Sequence, residues 1–188
     1  MKNIILILLV VLSFKTQAQN KPCPVTGGSN RRSDQFSDSL KNRNDSALQF
    51  QNLPIGQILM TGNDINRFTY SQYVRVHGII TDVKRGGSEL CNCHSKNKLD
   101  LDIHIVLSDS TGNGKIICEV NRYTQASNPL LSYQNVHSMI GRVVYIYGWL
   151  FFDAEHLQNA TNTCGSCTSV WRSTCWEIHP VMRLQILK

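Results

Sequence analysis

A chain of 188 residues, once an N-terminal targeting segment is set aside, has room for one domain and a tail and is too short for several large domains. Its 19 Lys and Arg against 13 Asp and Glu give a net charge of +6 and a pI near 9.0. That surplus mildly favours anionic partners, but no dense basic run accompanies it, so charge alone does not single out nucleic acid.

Residues 1–18 read as a signal peptide. Lys2 supplies a positive start, Ile4 to Leu12 is an unbroken apolar run, and Thr16-Gln17-Ala18 ends in a small residue suited to cleavage before Gln19. The run is about half the ~20 residues that a membrane-spanning helix needs. No second long apolar segment follows, so the mature part is expected to lack a transmembrane span and to be soluble and exported, periplasmic or extracellular. Loss of Lys2 and Lys15 with the signal lowers 19 Lys and Arg to 17, against 13 Asp and Glu.

Seven cysteines in an exported chain point first to disulfides, because those compartments are oxidising. The odd number leaves at least one thiol free, metal-bound or paired between chains. Cys91, Cys93, Cys164, Cys167 and Cys175 are the disulfide candidates, whose pairing spacing does not assign. Cys118, in a strongly apolar stretch, reads as a buried thiol.

Residues 19–52 read as a flexible leader. Pro22, Pro24, Gly27, Gly28 and the polar run from Asn30 to Asp34 have little to bury. Leu53 to Leu59 is expected to pack this leader onto a domain spanning 53–188. A long β-branched strand then runs from Tyr73 to Lys84, with Gly78 suited to a bend. A polar loop from Arg85 to Leu99 precedes a second strand, Leu101 to Leu107, in which apolar residues alternate with Asp102 and His104. Ser108 to Gly114 is a turn, and Lys115 to Asn121 returns as the third strand. The best helix candidate is Asn128 to Ile140, closed by Gly141. Arg142 to Phe152 is an aromatic fourth strand with Gly148 at its middle. The fifth runs from Trp171 to Leu187, interrupted at Pro180.

The order strand, strand, strand, helix, strand, strand resembles the OB-fold, a five-stranded Greek-key barrel with a helix between its third and fourth strands. The expected class is therefore all-β with one short helix, with a small β-sandwich as the alternative. The stretches Cys91-Asn92-Cys93-His94, Gly148 to Asp153 and Trp176-Glu177-Ile178-His179-Pro180 are also similar to a family of exported bacterial OB-like proteins. That resemblance implies no activity and assigns no residue a role.

Four polar clusters carry the chemistry, and each contains a histidine: Cys91 to His94, Asp102 to His104, Asp153 to His156 and Trp176 to Pro180. Asp102 and His104 share one strand face, as do Glu177 and His179, and both pairs are expected to project outward from the barrel. A metal such as zinc would need three or four ligands converging at ~2.0–2.3 Å. The candidates are His104, His156 and His179, with Asp102 or Glu177 as ligand, supporting partner or general base. No His-Glu-x-x-His and no paired Cys-x-x-Cys knuckles are present, so a cofactor is not required and a divalent metal is the alternative. Cys164-Gly165-Ser166-Cys167 lacks the βαβ surroundings of a redox dithiol.

Tyr145, Tyr147 and Trp149 alternate along the fourth strand, where OB-folds stack bases or sugars. The resulting expectation is a binding module for an oligomeric ligand, nucleic acid or glycan, or for an envelope protein. Tyr145, Tyr147 and Trp149 would contact the ligand, and His104, Glu177 and His179 would supply directional hydrogen bonds. The competing class is a metal-assisted hydrolase on the same face, with Glu177 activating water.

Overall fold

The computed structural model describes residues 22–112 and 114–187; the signal-peptide reading of residues 1–18 lies outside the described residues. Helix α1 spans Arg32–Lys41, strand β1 Gln51–Asn52 and helix α2 Ile55–Ile58. Strands β2 (Tyr73–Arg85), β3 (Ile103–Ser108) and β4 (Lys115–Val120) follow, then helices α3 (Arg122–Ser127) and α4 (Tyr133–His137), then strands β5 (Val143–Phe152) and β6 (Trp176–Ile186).

Strand β2 pairs antiparallel with both β3 and β5, and β3 with β4. Strand β6 then closes the ring, parallel to β4 and antiparallel to β5. The five-stranded barrel β2-β3-β4-β6-β5 is the OB arrangement predicted from the strand order, and not a sandwich. Alternation decides what fills it. Val74, Val76, Ile103, Ile105, Leu107, Ile116, Cys118, Val144, Ile146 and Ile178 point inward and are almost fully buried. Each such aliphatic side chain contributes roughly 1.5–3 kcal/mol by leaving water.

Two glycines permit close approaches that a larger residue would block. A Cβ on Gly78 would lie 2.3 Å from the Ser108 carbonyl oxygen, where β2 curls over β3. One on Gly148 would lie 2.4 Å from the Pro180 carbonyl oxygen and 2.5 Å from Ile178 Cγ2. Pro180 does not interrupt β6 as expected. Gly148 pairs with Val181 and Leu150 with Ile178, so the proline sits in a bulge, where its missing N–H costs no ladder bond.

The segment expected as one helix, Asn128 to Ile140, contains the short helix α4 and a 3-10 turn over Pro129–Leu131, with α3 before them. The residue before a proline is driven out of the helical region, and Asn128 is extended at φ −133°, ψ 100°. Asn121 caps α3 by accepting from Thr124 N at 2.8 Å. The fifth barrel strand begins at Trp176, leaving Trp171 in the preceding loop.

The leader needs the largest correction. From Pro22 onward, residues 19–52 are built into the fold rather than flexible. Cys23 is disulfide-bonded to Cys93, a partner the sequence reading missed, and the second disulfide joins Cys164 to Cys167. Cys91 and Cys175 are buried free thiols, not disulfide partners, and Cys118 is the buried thiol expected. Asn42 Nδ2 donates to the Cys91 carbonyl at 2.7 Å, and Asn121 Nδ2 donates to the Lys41 and Arg43 carbonyls at 2.8 and 3.0 Å. Strand β1 adds in parallel to β2. A segment poor in apolar residues is thus held by side-chain hydrogen bonds to its backbone and one covalent tie.

Gly148→Ala is expected to lower stability by about 2–3 kcal/mol through overpacking against Pro180 and Ile178. Equilibrium denaturant unfolding of the oxidised protein measures it; an unchanged midpoint would mean that β5 and β6 have slack at this crossing.

Candidate functional site

The barrel's outer face over β3, β4 and β6 is polar but not solvated. Asp102, Glu119, Glu177 and His179 are between 1% and 7% exposed. Asp102/His104 and Glu177/His179 lie on the side of the sheet opposite the core, as expected, but under cover rather than open to water. Lys41 and Asn42, at the end of α1, and the loop carrying Glu89 and Cys91 also lie buried or half-buried over this face.

Register brings the groups together. His104 on β3 is paired with Glu119 on β4, and its Nε2 lies 3.2 Å from Glu119 Oε1. Across the parallel β4–β6 contact, His179 Nδ1 lies 3.3 Å from Glu119 Oε2 and 3.2 Å from Glu177 Oε1. Its Nε2 is 3.4 Å from Asp102 Oδ2, without the alignment of a hydrogen bond. Arg172 then forks between two acids, NH2 to Glu177 Oε2 at 3.1 Å and NH1 to Asp153 Oδ2 at 3.2 Å. Asp153 is also engaged by His156. At the other end, Cys91 Sγ lies 4.0 Å from Asp102 Oδ2, and Lys41 Nζ lies 3.5 Å from Glu89 Oε2.

All four clusters therefore meet in one chain of contacts, though not every member does. Cys93 is in its disulfide and His94 is exposed. His156, expected as a metal ligand beside His104 and His179, stands at the far end. It bonds Asp153 and stacks edge-on against Trp171 at 5.6 Å between ring centroids. Glu177 is a partner of His179 Nδ1 and Arg172 rather than a free ligand or base.

Sequence reasoning missed Glu119, Lys41 and the pairing role of Arg172. The alternation of Ile116, Cys118 and Val120 inward sets Glu119 outward beside His104, a signal that was present in the sequence. Lys41 had none, because its position follows from how the polar leader folds back.

The electrostatics are those of an acid-rich interior. Burial opposes the charge on Arg172, but Glu177 and Asp153 outweigh it and hold the guanidinium protonated. Burial likewise opposes Lys41, and Glu89 together with Cys91, Asp153 and Glu119 overcomes it. Burial pushes the Asp153 carboxyl up, yet the His156 hydrogen bond, Lys41 and Arg172 bring it down to about 2. Glu119 is raised well above the carboxylate range by burial and by Glu177. His104 is lowered by burial, while in His179 burial is overcome by Glu119 and its neighbours, raising it to about 10.

The expected aromatic platform is covered. Tyr147 and Trp149 are 5% and 7% exposed and pack with Tyr73. Arg43 lies over Trp149 at 3.6 Å, Trp149 Nε1 donates to the Asp45 carbonyl at 2.8 Å, and Phe50 packs edge-on to Tyr147 at 5.1 Å. Tyr145 is half-buried beneath Arg75, 4.4 Å from its ring centroid. The leader occupies the surface on which a ligand was expected to stack.

A separate groove of about 740 Å³ remains open on the outer face of β2, β3 and β4. Val106 and Ile117 lie along it, Lys84 and Lys115 stand at its rim, and Trp171, 56% exposed, and Arg172 form part of its wall. Arg172 is thus shared between groove and buried centre.

No family model matches the chain, and no curated protein does. Among solved structures it is similar to an OBody, AM2EP06, bound to hen egg-white lysozyme, at 17% identity over 62% of this chain and 80% of that one, with a TM-score of 0.38. A second lysozyme-bound OBody, AM3L09, is 18% identical over 63% and 84% of the two chains, with a TM-score of 0.35. The crystal structure of yeast Stn1 and Ten1 matches at 14% identity over 87% and 79%, with a TM-score of 0.43. The fold assignment rests on the chain's own strand order.

Two outcomes are expected from this charge arrangement. Arg172→Met leaves Asp153 and Glu177 buried without their shared cation and is expected to cost about 3–5 kcal/mol in denaturant unfolding. Adding Glu177→Gln is expected to restore part of that loss; full additivity of the two changes would show the pair is not coupled. Asp153 has a folded pKa of about 2, against 3.8 in the unfolded chain. Its stabilisation is therefore complete above pH ~4 and is lost as pH falls through ~2, roughly 2 kcal/mol in all. Acid titration followed by circular dichroism should show a shallower slope in that window for Asp153→Asn, and an identical slope would remove Asp153 from the account.

Proposed function

We propose that the protein is an exported binding module that holds a saccharide chain in the groove along the outer face of β3 and β4. The observation that carries this reading is the groove itself. It lies on the face that OB-folds use for oligomeric ligands, with one exposed tryptophan as a platform. Thr81, Thr161 and Ser173 supply hydroxyl and backbone partners, and the apolar floor of Val106 and Ile117 suits the face of a sugar ring.

A saccharide is favoured over nucleic acid by charge. Lys84 and Lys115 are the exposed cations of the groove; Asp82 opposes them, and Arg172 is already paired with two acids. Phosphate chains are held by many cations, with affinity that falls steeply in salt. The neighbouring centre is acidic and would repel phosphate further. Metal-assisted hydrolysis with Glu177 as base is not favoured either, since both its oxygens are taken up by His179 and Arg172.

Export is supported by the signal-like residues 1–18 and by two disulfides, which persist in oxidising compartments. Among the described residues no helix is long and apolar enough to cross a membrane.

Trp171 also supplies the readout, because Trp149 and Trp176 are buried. Titration with neutral and uronic-acid oligosaccharides is expected to shift the tryptophan emission. Trp171→Ala should weaken binding by about tenfold or more, on the ~1–3 kcal/mol scale of aromatic stacking. Retained saccharide affinity in Trp171→Ala, or oligonucleotide binding with a steep salt dependence instead, would sink this reading.

A further inference from the structure

We propose that Asp102, Glu119 and His179 form a site for one divalent first-row transition-metal ion, with His104 at its edge, on the covered face of the barrel. One donor atom from each of the three lies within 4.8 Å of the others, and all three residues are buried. They come from three places in the chain: the entry to β3, the end of β4 and the first half of β6. Sheet register, not local sequence, sets the spacing.

Orphaned imidazole nitrogens distinguish this place from a self-satisfied acid cluster. His179 is 1% exposed, and its Nδ1 is hydrogen-bonded to Glu177 Oε1 at 3.2 Å. Nε2 has no hydrogen-bond partner although Asp102 Oδ2 is 3.4 Å away, and an ion that displaces its proton, leaving Nδ1–H on Glu177, would meet its lone pair. His104 Nε2 is likewise buried and without a hydrogen-bond partner, 3.2 Å from Glu119 Oε1. Lone pairs facing carboxylate oxygens repel unless a cation stands among them. A proton does this for one pair, whereas a divalent ion does it for all of them together.

The surrounding shell is built for the same purpose. A ligating histidine usually gives its other N–H to a carboxylate, which fixes the ring and raises its basicity. Glu177 plays that part here and is itself held by Arg172, which Asp153 holds in turn. Charge agrees: among the described residues Glu89, Asp102, Glu119, Asp153 and Glu177 gather here with Lys41 and Arg172, so a divalent ion that displaces protons from Glu119 and His179 leaves no excess of positive charge. Imidazole among the donors favours zinc, iron, nickel or copper over calcium or magnesium, which prefer all-oxygen shells.

This inference is independent of what fills the groove, and Trp171→Ala is expected to leave metal uptake unchanged. The test uses the full mature chain with its disulfides formed, stripped with chelator, then loaded with Zn²⁺ or Co²⁺ and desalted. The expected result is one ion per chain, proton release on uptake, and a cobalt visible spectrum of mixed nitrogen and oxygen ligation. His179→Gln and Asp102→Asn should lose stoichiometric uptake. Glu177→Gln, a positioning change, should weaken it by about 10–100-fold while the cobalt spectrum keeps its ligand set.

Surface histidines are controlled by His77→Gln, His94→Gln and His137→Gln, which should bind as the parent does. Loss of uptake in those controls instead of in His179→Gln would overturn the proposal. So would an uptake well below one ion per chain in the parent protein, a result that does not depend on any variant folding.

Discussion

Burying acid without enough permanent base is the constraint around which this molecule is arranged. The outer face of β3, β4 and β6 would be an ordinary solvated sheet surface if the chain began at Leu53. Residues 22–52 turn it into a second interior, and every carboxylate in it then needs a counter-charge. Arg172 forks between two acids, Lys41 is carried in on the end of α1, and His179 stands where Asp102, Glu119 and Glu177 converge. The disulfide from Cys23 to Cys93, closing 70 residues of sequence, holds the cover against a charge distribution that would otherwise favour water. In this chain the cover and the acidic centre make sense only together.

Much of the fold was legible because barrel strands are written in alternation. Ile103, Ile105 and Leu107 against Asp102 and His104 give both the strand and its two faces, and Gly78 and Gly148 mark where strands cross closely. What alternation cannot show is what lies above a face. Asp102 and Glu177 look solvated because polar residues opposite a core usually are. The covering segment has the composition of a disordered leader, since it is fastened by Asn42, by Asn121 bonding to its carbonyls and by Cys23, none of which forms a pattern. The broken helix after β4 was hidden differently. Asn128-Pro129 is a local stop signal that the apolar spacing from Leu131 to Ile140 outweighed.

The centre was legible as a set of residues but not as a geometry. Histidine and carboxylate at i, i+2 on two strands mark Asp102, His104, Glu177 and His179 with no structure at all. Which of them meet depends on β6 lying beside β4, a parallel contact between strands more than 50 residues apart that local sequence cannot specify. The same non-local fact separates His156 from the other histidines and recruits Glu119. Trp171 shows the converse: read as part of a strand, it lies in the loop before β6, free to serve as a platform because the strand starts five residues later.

Strand β6 has one more consequence, for the order in which the molecule comes into being. It is the last of the described strands, yet it lies between β4 and β5, and it carries Glu177 and His179. Until Trp176–Ile186 has been synthesised, β4 and β5 present unpaired edges, and the acids of β3 and β4 have no imidazole from β6 between them. Such open edges are what a growing chain exposes to mispairing, and long-range closures of this kind form slowly. The strands β4-β3-β2-β5 can pair before β6 exists, but they form an open sheet that only Trp176–Ile186 closes. The same 11 residues complete the barrel and its buried centre in a single step.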